Sequence, residues 1–302
     1  MEGLIEAVPN FSEGRDRRIL DAIEAAVSAH ARVLDVHADP DHNRSVFTCV
    51  GEPAGLVAGI VAGVAAAVEL IDLRRHHGVH PRVGAADVVP LVRFDPADPR
   101  PLECARAIAE AIGALGIPAI GYAELGDGRR PAAFRAGGPE RLAERLAAGE
   151  LTPLAGPGRL HPTAGAALVG VRAPLVAFNL ELDTANVQIA REIAAAARER
   201  DGGLPGVQAL GMLLESSGRT QVSVNLIDVD ATPLHVLVAR VERLAAEHGA
   251  TVVAGELVGL MPARVAWAAA AHGLRLTGSG PDRMLETAVA GEFGRIPAGH
   301  PR

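Results

Sequence analysis

The order of strand-like and helix-like segments predicts an α/β (α+β) chain of two ferredoxin-like βαββαβ subdomains, each a mixed sheet covered by helices. Three observations carry that expectation. Short β-branched or alternating runs and longer 3.6-periodic runs follow one another as β-α-β-β-α-β. The same order returns in the second half of the chain. Pro53 and Pro233 open equivalent helices, and Asn10 and Asn179 fall near the ends of equivalent first strands. The expected subdomains are residues 1–173 and 174–302.

Taken in order, Leu4 to Val8 is a short apolar strand ending at Pro9-Asn10, and Ser12-Glu13-Gly14 is a turn. Asp16 to His30 has helical periodicity, Arg32 to Val36 is a strand, and Ser45 to Val50 is β-branched and aromatic, a strand again. Pro53 opens a helix to about Leu73, and Asp87 to Val92 closes the unit as a strand. A helix over 102–115, a strand over 118–122, a short helix over 139–148 and an aperiodic Gly/Pro-rich stretch over 151–165 follow. The second unit reads as a strand (175–182), a helix capped by Thr184 and running to about Arg200, strands over 207–214 and 221–227 across Ser217-Gly218, a helix from Pro233 to about His248, and a strand over 251–258. The tail from Gly291 to Arg302 reads as frayed.

Composition removes several chemistries. The chain has 302 residues and 29 basic residues, all of them Arg. Without Lys there is no imine chemistry, no phosphate-binding loop of the usual pattern and no ordinary kinase site. Proton transfer falls to His, Asp or Glu. A net charge of −7 and 3% aromatic content give no footprint for nucleic acid. Cys49 and Cys104 have neither metal spacing nor a disulfide framework, which fits a reducing cytoplasm. The opening MEGLIEAVPNFSEGR has acids where a secretion signal has bases. Ala54 to Val68 is uncharged but short of a membrane span; Gly55, Gly59 and Gly63 line one helix face, as expected of a soluble helix lying close on a sheet.

Two segments concentrate polar chemistry. Five of the 11 histidines lie between His37 and His80, and 75–82 reads RHHGVHPR. Gly78 and Pro81 prevent His76, His77 and His80 from sharing a helical face, so a metal site is disfavoured; a catalytic His on a rigid loop and a plain polar loop both remain open. Asp35-Val36-His37-Ala38-Asp39-Pro40-Asp41-His42-Asn43-Arg44 joins two strands and carries three acids, two imidazoles, an amide and a guanidinium suited to a carboxylate. The stretch ending Leu160-His161-Pro162-Thr163-Ala164-Gly165 could be a linker or a ligand loop.

The runs Val8 to Arg15 (VPNFSEGR), His42 to Val46 (HNRSV), Ile71-Asp72, and His80 to Ala85 (HPRVGA) with Asp87-Val88 resemble the formiminotransferase family. So do Ala177-Phe178-Asn179, Gln221 to Leu226, and Glu256 to Leu260 with Pro262, so that the resemblance spans about 2–265. It implies two α/β subdomains with the ligand cleft between them. It also implies transfer of a formimidoyl group from formimidoylglutamate to tetrahydrofolate, in histidine degradation. His80 takes the family's catalytic position, with Asp39 the first candidate for a carboxylate beside the amidine and Asp41 the second. Asn10, His42, Asn43, Arg44 and Arg82 are the expected substrate contacts. The folate loop maps onto Gly156, Pro157, Gly158, Arg159, Leu160, His161, Pro162, Thr163, Ala164 and Gly165. His37 and Ala164 depart from some relatives, which have an acid and an aromatic there. The resemblance implies tetrahydrofolate as co-substrate, no required metal, no membrane, a homodimer, and a cyclodeaminase carried by another polypeptide. Related formyl transfer between 5-formyltetrahydrofolate and glutamate, and folate binding without catalysis, are the alternatives.

Overall fold

The computed structural model describes residues 3–277 and Gly280; the tail expected to fray lies outside the described residues. Contacts divide the chain into two compact units, Met1–Pro174 with Leu213–Gly218, and Leu175–Met212 with Arg219–Arg302.

In the first unit the opening apolar run does form a strand, but Pro9 breaks it into β1 (Ile5–Ala7) and β2 (Asn10–Phe11). Both pieces pair with β4 (Arg44–Gly51) on one side and β5 (Ala86–Val92) on the other. Pro90 sits in the middle of β5, where a missing donor would ordinarily cost a ladder bond. Its carbonyl accepts from Val8 N–H at 2.9 Å. The N–H it lacks would point to that same edge, where the neighbouring strand is already interrupted. β3 (Arg32–Asp39) pairs antiparallel with β4 on the outside. The divided first strand therefore lies between β4 and β5, as the split βαβ pattern requires.

The sheet then continues beyond the expected four strands. β7 (Ala167–Arg172) runs parallel to β5, and β6 (Ala119–Ala123) parallel to β7. Such pairings need long crossovers, supplied by α3 (Arg100–Ala114) and by α4 (Ala132–Arg135) with α5 (Gly138–Ala147). β7 escaped the sequence reading because a strand buried on both faces has no alternation; only Arg172 of it is not buried.

Two helices complete this core, α1 (Arg17–Ser28) and α2 (Pro53–Leu70). Asp16 caps α1 by accepting from Arg18 N–H at 3.0 Å. Among the described residues α2 is the one helix long and apolar enough to cross a membrane. In this unit Leu56, Ile60, Val64 and Ala67 are fully buried in the core. The glycine stripe faces α1, not the sheet: a Cβ on Gly59 would lie 2.9 Å from the Val27 carbonyl, and one on Gly63 2.6 Å from Val27 Cγ2. Small residues let the two helix backbones approach.

The second unit follows the expected order: β8 (Val176–Leu182), α6 (Val187–Ala197), β9 (Val207–Leu213), β10 (Thr220–Leu226), α7 (Leu234–Glu247) and β11 (Val252–Val258). Its sheet runs β11-β8-β10-β9. Asn186, not Thr184, caps α6, accepting from Gln188 N–H at 3.0 Å; Thr184 Oγ1 instead accepts from Asn186 N–H. A further helix, α8 (Ala263–Leu274), was not expected; its Ala-rich sequence buries only Val265 and carries no strong stripe.

Gly59→Ala should lower the unfolding free energy by about 1–3 kcal/mol through overpacking against α1. Denaturant melts will measure it, and an unchanged midpoint would contradict the α1–α2 packing described.

Candidate active site

The turn between β3 and β4 and the histidine-rich loop after α2 meet in the first unit, with Asn43 making most of the side-chain hydrogen bonds between them. Asp39 Oδ1 accepts from the N–H groups of Asp41 (2.8 Å) and His42 (2.9 Å), which folds the turn back on itself. Asn43 takes φ +47°, a left-handed conformation that Asn tolerates. Its Oδ1 accepts from Gly14 N–H at 3.0 Å, and its Nδ2 donates to the His77 carbonyl at 2.9 Å. The Asn43 carbonyl accepts from His76 Nε2–H at 2.8 Å. Gly78 seats against this turn: a Cβ there would lie 2.3 Å from the His42 carbonyl, so no larger residue fits. The amide of Asn43 is thus engaged by the protein itself.

This packing presents His80. Its Nδ1 lies 2.8 Å from the carbonyl of Pro81. A carbonyl only accepts, so Nδ1 carries the proton and the neutral ring offers a bare Nε2 lone pair. The His42 ring lies 5.7 Å away, tilted by 32°. His42 is buried, with Nε2 3.7 Å from Asp39 Oδ2. Burial, then the guanidinium charges of Arg44 and Arg135, and lastly His42 depress the basicity of His80 well below the ordinary imidazole value, against a smaller opposing pull from Asp87. At neutral pH the ring is a free base.

Asp87, on β5, is completely buried. Its Oδ2 accepts from Arg44 Nη1 at 2.5 Å and from Arg135 Nη2, while Oδ1 accepts from Val83 N–H at 2.6 Å. Burial alone would raise this carboxyl; Arg135, Arg44 and the hydrogen bonds outweigh it and hold the group ionised far below the usual carboxylate range. Arg44 also donates from Nε (3.2 Å) and Nη2 (2.8 Å) to Asn10 Oδ1. Asn10 Nδ2 donates onward to the Val8 carbonyl at 2.8 Å. Arg82 is half-buried, its Nη2 donating to the His76 carbonyl at 2.7 Å. Asp41 turns elsewhere, accepting from Ser216 N–H (2.9 Å) and Oγ–H (2.5 Å) in the Leu213–Gly218 segment of the same unit.

The end of the Gly/Pro-rich stretch is stitched to Val83–Ala85, between His80 and β5. His161 and Gly165 exchange backbone hydrogen bonds at 2.9 and 3.0 Å, and His161 Nδ1 accepts from Ala164 N–H at 3.1 Å and Thr163 N–H at 3.3 Å. Thr163 O accepts from Leu73 N–H, Ala164 O from Ala85 N–H, and Ala166 N–H donates to Val83 O. Gly165 adopts φ +67° with Val83 O 2.2 Å from where a Cβ would stand, so only glycine closes this loop. Ala164 is buried in the core and presents no stacking face. Gly156, Gly158, Arg159 and Pro162 are exposed; Pro157, Leu160, His161 and Thr163 are half-buried.

The thiols and the phenol are poor bases here. Burial pushes the Cys49 thiol up to about 12 and raises that of Cys104; both cysteines are free and buried. Burial likewise takes the Tyr122 phenol up to about 12. Among the described residues no three His, Cys, Asp or Glu side chains are grouped to hold a metal. Sequence reading missed Arg135 entirely. It sits on a four-residue helix and is one Arg among many, so spacing offers no signal; only the tertiary structure shows its ion pair with Asp87.

A free-base imidazole under the charge of two guanidiniums can accept a proton, and the guanidiniums favour an anion nearby. Residues 4–172 match the formiminotransferase domain, N-terminal subdomain, and residues 177–278 match the formiminotransferase domain. The glutamate formimidoyltransferases of Streptococcus pyogenes serotype M1 and Thermoplasma acidophilum are 37% and 38% identical. Those matches cover 87% and 94% of this chain, and 91% and 96% of the relatives. The formimidoyltransferase-cyclodeaminase of Sus scrofa is 40% identical over 90% of this chain and 52% of its own length. The chain belongs to the formiminotransferase family and is a transferase.

Asp87→Asn should destabilise the first unit by about 3–5 kcal/mol, because Arg44 and Arg135 would be left as buried charges without their shared partner. Urea denaturation monitored by circular dichroism will test this, and a loss under 1 kcal/mol would show that the carboxylate is dispensable.

Proposed function

We propose that this protein transfers the formimidoyl group of N-formimidoyl-L-glutamate to N5 of tetrahydrofolate, releasing L-glutamate, as a step of histidine degradation. The observation that carries the reading is His80, a half-buried imidazole whose Nδ1–H is committed to Pro81 and whose Nε2 is free of its proton at neutral pH. Two close relatives named glutamate formimidoyltransferase support the donor.

The chemistry is amine attack on an amidine carbon. As N5 bonds to that carbon, His80 Nε2 accepts the N5 proton. The imidazolium then returns a proton to the glutamate nitrogen as its bond to carbon breaks. Electrons of that bond leave with glutamate, and the atoms balance without an external oxidant or base. The depressed basicity of His80 suits both halves: the ring is ready to accept at pH 7, and once protonated it is a willing acid. Asp39 Oδ2 is the carboxylate we place toward the amidinium, its other oxygen being held by the turn. The loop from Gly156 to Gly165, joined to Val83–Ala85, is the part we assign to the folate.

Incubation with formimidoylglutamate and tetrahydrofolate should release glutamate stoichiometrically with 5-formimidoyltetrahydrofolate. No turnover with that donor or with 5-formyltetrahydrofolate would end the enzymatic reading. His80→Ala should lower kcat/KM by about two to four orders of magnitude. In the unaltered protein the acid limb of kcat/KM should lie well below pH 6.5, since the folded-state value of His80 is lowered and the base is lost only when pH falls through it. An acid limb at or above that pH would remove His80 as the base.

A further inference from the structure

We infer that Arg135 is a substrate-carboxylate anchor, a binding residue that holds a carboxylate of the glutamate-derived donor beside His80. The inference rests on the donor named above and assigns one of its subsites.

The argument is one of charge and hydrogen-bond supply. Two guanidiniums, Arg44 and Arg135, converge on a single oxygen of Asp87, and the carboxylate's other oxygen is taken by Val83 N–H. The protein supplies one negative charge for two positive ones, and both positive charges act on His80. An uncompensated charge in a desolvated place is costly, so the site favours an incoming anion.

The two arginines are not equivalent. Arg44 uses three nitrogens within the protein, on Asn10 and Asp87. The Arg135 side chain makes one hydrogen bond among the described residues, from Nη2 to Asp87, and its Nε is buried without a partner. Its side chain retains 14% exposure. The guanidinium is thus oriented by Asp87 and still has donors to offer. A planar fork with donors to spare, held on the same carboxylate oxygen as Arg44, fits a carboxylate better than any other group on the donor. The short α4 brings it there, between Pro131 and the left-handed Gly137.

The test compares formimidoylglutamate with its α- and γ-carboxamide analogues, in the unaltered protein and in Arg135→Lys and Arg135→Gln. The unaltered protein should lose about 10–100-fold in kcat/KM on one of the two amides, mostly through KM. In the variants the native donor should lose a similar factor, and the acid-over-amide preference at that position should fall to within about threefold. Preference kept in the variants would overturn the inference, as would no preference in the unaltered protein. Arg135→Lys keeps a cation on Asp87, so it guards against a folding failure of Arg135→Gln. Calorimetric binding of L-glutamate separates this idea from the proposed reaction. Binding weakened at least tenfold in Arg135→Lys supports the anchor even without turnover, and equal binding rejects it.

Discussion

The first unit is organised around a carboxylate that has no contact with solvent. Asp87 is buried on the central strand β5, and an isolated charge in that position would be prohibitively costly. It is tolerated because both oxygens are satisfied by groups from separate parts of the chain: Arg44 from β4, Arg135 from α4 and the Val83 amide from the segment after His80. The requirement for compensation therefore draws these elements together. Once they are together, His80 acquires its electrostatic surroundings as a consequence.

The environment of His80 illustrates how position becomes chemistry. The tautomer comes from a local bond to Pro81, while the low basicity comes from burial and from guanidiniums far away in sequence. The loop itself is held by Asn43, which accepts and donates across three segments, and by the absence of a side chain on Gly78. Asn43, Gly78 and Pro81 act on His80 through the backbone and the loop's shape. Together with the guanidiniums they decide which nitrogen is bare and how readily it takes a proton.

The absence of lysine also acquires a structural reading. Arg44 spans Asn10 and Asp87 through three nitrogens in one plane, which an ammonium on a flexible stem could not reproduce. The same geometry lets one carboxylate oxygen serve two guanidiniums.

Local periodicity made the βαββαβ order legible in both halves, because strand and helix impose periods of 2 and 3.6 on whichever residues face the core. Motif-bearing residues were legible too: the turn at Asp39 to Arg44 and the loop carrying His80 do come together, and the end of the 156–165 stretch pairs with Val83 to Ala85 just beyond that loop. What periodicity could not reveal was β7, doubly buried and so without alternation, the direction of the α2 glycine stripe, and the role of Asn43 as a hub. Least legible was Arg135. Its meaning depends on a pairing 48 residues distant, and Coulomb attraction leaves no spacing rule in a sequence. Residue types and their order determined which proton-transfer groups the chain has to offer and set His80 within the family's motif; only the folded arrangement of buried charges decided which nitrogen of that imidazole is bare and how far its basicity falls.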